Sequence, residues 1–280
     1  MEVIISGEPV YYARTLDSEF RELILLPISD VHYGNPLFSK HHLLREIRFI
    51  SETPNAYTIL NGDLCESALR TSKGEIYRQV GTPQDQRDWI IEKFYPIRDK
   101  ILGMTLGNHE ARILNDVGID ICQDIAKALG VPYRAAGMFN KISFGDGNNR
   151  VAGKPYVYWT YFTHGYGGAR TSSAKAIKVE RTSTFLHADL YGMSHDHLAN
   201  IAPSNYLIPD NRTHKEKDKD GNETGFTVGK VTNHRKMLVK TNAYMKWGGY
   251  SETFGYPPVD LESPVIRFQG EGKRRVKVEI

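Results

Sequence analysis

The sequence predicts an α/β fold of two facing sheets with helices outside. Short apolar runs alternate with helical periodicity through the first half, and alternating strand patterns dominate the second. No internal repeat or low-complexity tract interrupts the pattern. With 280 residues, 40% of them hydrophobic, the chain is long enough to bury a large core and is expected to form one domain over 1–280. That composition excludes disordered, collagen-like and small disulfide-framework classes.

The elements follow in order. Glu22 to Ser29 is an apolar strand. Ser39 is a suitable N-cap for a helix carrying Leu43, Leu44, Ile47 and Ile50 on one face, and Ala56 to Leu60 completes a β-α-β unit. Thr82-Pro83 opens a helix through Trp89, Ile90 and Phe94, Ile101 to Leu106 is a third strand, and a helix from Asp120 to Leu129 stops at Gly130. Met138 to Phe144 and Pro155 to Thr163 read as paired strands about a turn at Gly145 to Asn149. Ser172 to Phe185 is helical and Ala188 to Gly192 is a short strand. Segments at Phe226 to Val231, Lys236 to Lys240, Val265 to Phe268 and Val276 to Ile280 make the end of the chain strand-rich. The polar stretch Asp210 to Gly225 is expected to be a mobile loop on a hairpin. Its Glu216 to Gly221 run begins like a calcium loop but lacks Asp at the first position and has Thr227 at the twelfth.

No apolar run approaches the roughly 18 residues that cross a bilayer, so no membrane partner is expected. The Met1-Glu2 start shows no basic leader region, and Cys65 and Cys122 read as free thiols, so the expected location is cytoplasmic. The formal charge of +3 is too small to argue for nucleic acid. Lys175, Lys178 and Arg181 recur at helical spacing and form either a solvated face or, with Arg170, a guide for a polyanion.

Chemistry concentrates in five motifs, each at a strand end: Ser29-Asp30-Val31-His32, Asn61-Gly62-Asp63, Gly107-Asn108-His109-Glu110, Thr163-His164-Gly165 and Ser194-His195-Asp196-His197. Any one alone is an ordinary turn or cap. Five in order would bring their side chains together at sheet edges, where open α/β folds place ligands, and His with Asp is the donor set of divalent-metal sites.

This series resembles the calcineurin-like metallophosphoesterase superfamily, whose pattern is D-x-H, G-D, G-N-H-[DE], H and G-H-x-H. The likeness runs from Ser29 to His197, with Ser194 in place of the last motif's Gly. It implies a four-layer α-β-β-α sandwich of two mixed sheets and two divalent metal ions, manganese first, with iron, zinc, nickel or magnesium as alternatives. By this resemblance Asp30, His32 and His197 hold the first ion, Asn108, His164 and His195 the second, and Asp63 bridges both, one oxygen to each. His109 stands beside them as general acid, its pKa raised by Glu110 or Asp30. Two cations roughly 3.5–4 Å apart clamp a phosphate oxygen and lower the pKa of a bridging water. Thr163 and Ser194 are expected to support the ligands from behind.

Arg112 and Arg170 are the candidate substrate-binding forks, with surface ion pairs as the alternative for each. Tyr33 either stacks a base or walls the pocket, with the wall preferred, and Cys65 reads as a packing residue. The implied substrate is a phosphoester, DNA or RNA among the candidates. A phosphodiesterase or nuclease is favoured over a phosphomonoesterase or protein phosphatase, because the phosphatase branch places a phosphate-gripping Arg where this chain has Ser67, leaving only Arg70 to compensate. A non-catalytic scaffold is disfavoured because no ligand is missing. The segment from Arg170 to Gly192 and the tail from Asn242 to Pro258 resemble phosphoesterases of bacteriophages and prophages.

Overall fold

The computed structural model describes residues 8–70, 72, 76–147, 154–168, 171–253, 255, 257–258 and 260–280. In chain order the elements are β1 (Tyr12–Thr15), β2 (Glu22–Ile28), α1 (Lys40–Glu52), β3 (Ala56–Asn61), α2 (Pro83–Phe94), a 3-10 helix (Tyr95–Lys100), β4 (Ile101–Thr105), α3 (Asn108–Val117), α4 (Ile121–Leu129) and β5 (Met138–Phe144). They continue with β6 (Tyr156–Thr163), α5 (Ser172–Phe185), β7 (Leu190–Met193), β8 (Asn200–Lys217), β9 (Glu223–Lys240), β10 (Val265–Gln269) and β11 (Val276–Glu279).

Two mixed sheets result. One has the order β11-β10-β2-β3-β4, with β2, β3 and β4 parallel; the other has the order β1-β5-β6-β7-β9-β8, with β6, β7 and β9 parallel. Their inner faces meet through Leu23, Leu25, Ile59 and Leu102 on one side and Met138, Ile142, Phe144, Tyr158, Phe162 and Val239 on the other. Helices α1 to α4 cover the opposite face of the first sheet, packing Leu43, Ile50, Phe94 and Ile125 onto Ile24, Leu26, Ile28 and Leu60. Helix α5 covers the second sheet through Val179 against Tyr191, Met193 and Leu238. The layers are therefore α-β-β-α. Strand β2 is apolar from Leu23 to Ile28 because both its faces are covered there, whereas β6 buries every second residue.

Local chemistry explains the boundaries. At α2, Thr82 Oγ1 accepts from Asp85 N (3.2 Å) while Asp85 Oδ2 accepts from Thr82 N (2.8 Å), a reciprocal cap behind Pro83. Helix α4 opens on Asp120 Oδ1, which accepts from Gln123 N, and closes on Gly130 at φ 69°. Ser39 occupies the N-cap of α1 but does not cap it with its side chain; its hydroxyl pairs with His42 Nδ1 at 2.7 Å. The stretch from Asp210 to Gly225 is also corrected. It is paired strand on both sides of a turn at 218–222, because Thr213, His214 and Lys215 find partners in Gly229, Val228 and Thr227. The expected turn at Gly145 to Asn149 runs into residues 148–153, which lie outside those described.

The tail that follows β9 is fixed from inside. Tyr244 donates its hydroxyl to Glu46 Oε2 on α1, Ser263 Oγ lies 3.2 Å from the same hydroxyl, and Ser263 Oγ donates to Asn242 Oδ1 (2.9 Å). Tyr244 N donates to Asp30 O (3.0 Å), so this anchor reaches the first motif. Burial raises the Glu46 pKa to about 7, against the hydrogen bonds from Tyr244 and Ser263 that lower it. The folded state thus holds this proton to higher pH than the unfolded chain, whose Glu titrates near 4.5. The contribution is complete below about 4.5 and is lost as pH rises through about 7. Comparing thermal unfolding of the parent and Glu46→Gln from pH 4.5 to 7.5 should show a smaller fall in Tm for the variant; parallel curves would refute the assignment.

Candidate metal centre

All seven sequence-expected ligands meet at the C-terminal ends of β2, β3, β6 and β7 and the N-terminus of α3. They form two groups. Asp30, His32 and His197 offer mutually close donor atoms, as do Asp63, His164 and His195. In the first group His197 Nε2 lies 3.1 Å from His32 Nε2 and 3.3 Å from Asp30 Oδ1. In the second, Asn108 Oδ1 lies 2.9 Å from His164 Nε2 and 2.6 Å from His195 Nδ1.

Asp63 stands between them. Its Oδ1 accepts from the His109 backbone N at 2.8 Å, while Oδ2 faces His164 Nε2 (3.2 Å) and His32 Nε2 (3.9 Å). In this geometry Oδ2 faces both groups, while the other oxygen accepts from the amide that begins α3.

The donor chemistry fits divalent cations. His164 Nδ1 is 2.8 Å from Asn61 O and His195 Nε2 is 2.7 Å from Gly167 O. Carbonyls only accept, so each of these nitrogens carries the hydrogen and the opposite nitrogen turns a lone pair inward, onto Asn108 Oδ1. With neutral rings, lone pair faces lone pair at 2.6–2.9 Å, which is repulsive unless a proton or a metal cation lies between. Asp30 Oδ1 is buried and, among the described residues, faces only the His197 and His32 rings, at 3.3 and 4.0 Å.

Charge points the same way. Burial would raise both carboxyls, but the His197 hydrogen bond and the His197 and His164 charges bring Asp30 to about 2, and His164 and His109 hold Asp63 well below the usual range. Conversely, burial opposes but the carboxylates prevail in raising His32 to about 9 and His164 to about 10, so protons neutralise the cluster where cations would.

The backbone is strained to build this. Asp30, His32, Asp63, His195 and His197, five of the seven ligands, have φ between 48° and 73°. Left-handed conformations of non-glycine residues cost roughly 1–3 kcal/mol each and persist only where surroundings enforce them. The motifs' glycines permit the close approach: a Cβ on Gly62 would sit 2.6 Å from Gly107 Cα, and one on Gly107 would sit 1.9 Å from Asp63 N.

Support comes partly from residues whose role the sequence did not reveal. Asn61, fully buried, accepts from Thr105 Oγ1 (2.9 Å) and donates to Thr163 O (2.9 Å) and Ser194 Oγ (2.5 Å), tying both sheets together behind the ligands. Only its place in the Asn-Gly-Asp motif hinted at this. Ser194 is engaged as expected, also accepting from Thr241 Oγ1, whereas Thr163 Oγ1 donates outward to Ala136 O. Glu66 places Oε2 3.4 Å from His32 Nδ1, and its carbonyl lies 2.8 Å from His109 Nδ1.

Other expectations are revised. Glu110 faces away from the His109 ring, accepting the backbone N of Asp63 (3.1 Å) and Cys65 (2.8 Å), and His109 is lowered by burial to about 4 instead of raised. Tyr33 stacks on Trp89 at 3.8 Å, as a wall would. Arg112 Nη1 is enclosed without an acceptor among the described residues. Arg170 lies outside the described residues. Lys175 is buried and Lys178 is largely covered, so with them the expected cationic face of α5 dissolves; Arg181 alone of the three is exposed.

Divalent cations should therefore stabilise the chain. Mn²⁺ at a hundredfold excess over its dissociation constant should add about 2.7 kcal/mol, and calorimetry in buffers of different ionisation enthalpy should detect proton release at pH 7. Asp63→Ala should lose both effects. A variant still holding two tight ions would refute the shared role of Asp63.

No protein-family model matches the sequence, and no curated protein matches it. Among solved structures, a vacuolar protein sorting 29 from Cryptosporidium parvum shares 12% identity, covering 92% of this chain and 97% of that one at a TM-score of 0.44. The nuclease MPE of Pseudomonas putida shares 12%, covering 91% and 87% at 0.35. A conserved Streptococcus pneumoniae protein described as a predicted phosphoesterase shares 11%, covering 92% and 88% at 0.35.

Proposed function

We propose that this chain is a calcineurin-like metallophosphoesterase that hydrolyses phosphodiester bonds with two divalent cations, manganese first, acting as a nuclease or nucleotide phosphodiesterase. The observation that carries this reading is the pair of donor groups sharing Asp63 Oδ2, with imidazole lone pairs turned onto oxygens. When bound, two such cations supply Lewis-acid charge to a phosphoryl group and lower the pKa of water. Asp30, His32 and His197 would hold one, Asn108, His164 and His195 the other, and Asp63 both.

The remaining steps belong to the chain's own residues. His109 keeps its ring fixed through Nδ1 on Glu66 O and presents Nε2 4.0 Å from Asp63 Oδ2. Burial, with the His32 and Arg112 charges, leaves it neutral before substrate arrives. An anionic phosphate beside it favours the protonated ring, which passes its proton from Nε2 to the leaving oxygen as the phosphorus–oxygen bond breaks, while the attacking water adds its oxygen to phosphorus and gives up a proton to solvent. Arg112, two residues past His109 on α3, is the candidate guanidinium fork for the phosphate. Ser67, at the position of the phosphatase branch's Arg, is buried, and Arg70 is exposed. A dianionic monoester therefore lacks a charge partner that a diester does not need. Two buried free thiols are in keeping with a reducing, cytoplasmic setting.

Turnover of bis(p-nitrophenyl) phosphate, p-nitrophenyl phosphate, single-stranded DNA and RNA with Mn²⁺ should favour the diesters; faster hydrolysis of the monoester would reverse the substrate class. His109→Ala should keep its metals, retain most turnover of nitrophenyl esters and lose roughly 10²–10⁴-fold on nucleic acid, whose alkoxide leaving group needs the proton. Equal losses on both would instead make His109 a phosphate-positioning group.

A further inference from the structure

The segment from Ser194 to His197 carries one donor for each group: His195 for the second and His197 for the first. Both have left-handed backbone, at φ 73° and 54°. Between them lies Asp196, which is mostly buried and surrounded by three lysines. Lys240 on β9, wholly buried, donates from Nζ to Ser194 O at 2.7 Å and lies 2.7 Å from Asp196 Oδ2. Lys178 on α5 donates to Asp196 Oδ1 (2.8 Å), and Lys175, one turn earlier, donates to Asp196 O (2.9 Å). Lys240 is in direct register with Met193, the last residue of β7, so its side chain begins beside the strand that launches the turn.

Buried ion pairs are poor sources of net stability, since apolar residues of similar volume usually serve as well. What a lysine cluster closed around one carboxylate provides is fixed geometry. We infer that Asp196, gripped by Lys240, Lys178 and Lys175, is the positioning residue for His195 and His197, and that it couples the two cation sites because one turn carries a ligand of each. The inference rests on the two-cation reading above. It reassigns the lysines of α5 from substrate guidance to ligand placement, and it keeps Asp196 itself out of the coordination, since both its carboxylate oxygens and its carbonyl face lysines.

The test uses the full chain, calorimetric titration with Mn²⁺ and the visible absorption of the Co²⁺-loaded protein. Asp196→Asn should weaken both sites together, by about 10- to 100-fold, and shift the Co²⁺ bands, while circular dichroism stays parental. Lys178→Gln should do the same to a smaller extent. Should Asp196→Asn fail to fold with Lys240 left uncompensated, Asp196→Asn/Lys240→Met removes both charges and should fold yet still bind weakly at both sites. A folded Asp196→Asn or double variant with parental affinity and an unchanged Co²⁺ spectrum would overturn the inference, as would loss confined to one site. A parent chain that binds no Mn²⁺ would overturn the two-cation reading and this inference with it, and that result is read on the parent alone.

Discussion

Everything at the strand ends answers to one constraint: too many electron pairs share a small, dry space. Asp30 and Asp63 are both essentially buried, and imidazole lone pairs from His164 and His195 turn onto Asn108 Oδ1. Such an arrangement is repulsive in isolation. It persists because the surroundings over-determine it: Glu110 grips the amides of Asp63 and Cys65, the His109 amide grips Asp63 Oδ1, and His195 N donates to Asp30 Oδ2 at 3.1 Å. Protein stability is spent here on geometry.

The two sheets are what make that possible. Asp30, Asp63 and Asn108 arrive from the parallel β2-β3-β4 side, while His164, His195 and His197 arrive from β6 and β7 of the other sheet. A core of Leu23, Ile59, Met138, Tyr158 and Phe162 fixes the spacing of those sheets, and Asn61 hydrogen-bonds across the gap at its open end. Packed interiors resist small displacements, so turns anchored on opposite walls hold their ligands at a fixed separation. Removing a methylene far inside the sandwich reaches the centre by the same route.

How legible all this was in the sequence depended on the range of the interaction. Apolar runs and caps are local, and β2, α2 and α5 read almost to the residue. The ligand motifs were visible because ordinary turns do not place a short cluster of His and Asp directly after an apolar strand five times in one chain. What the sequence conceals depends on partners far away in the chain. Glu46 looks like a surface residue of an amphipathic helix until Tyr244, almost 200 positions later, is seen to reach it. Lys175 and Lys178 fit a solvated stripe until Asp196 is placed beside them. Helix α3 hides behind the Gly-Asn-His-Glu motif, and the polar 210–225 stretch pairs as strand because its hydrogen bonds are backbone ones, indifferent to composition.

Among the described residues, strand β8 closes the six-stranded sheet with one side unpaired, over 18 residues. A free row of amides and carbonyls that long is a template on which another chain's strand can add. Pro203 and Pro209 lie opposite Met237 and Val231, an even number of residues apart and so in the same set; proline cannot donate to the β9 ladder, so that set is the one whose nitrogens face outward, and a bulge follows between Pro209 and Thr213. Each proline removes one outward donor, and the bulge throws the remainder out of step. An incoming strand would find hydrogen bonds missing at both prolines and its register broken at the bulge, which leaves the β8 edge long and exposed yet a poor template for further strands.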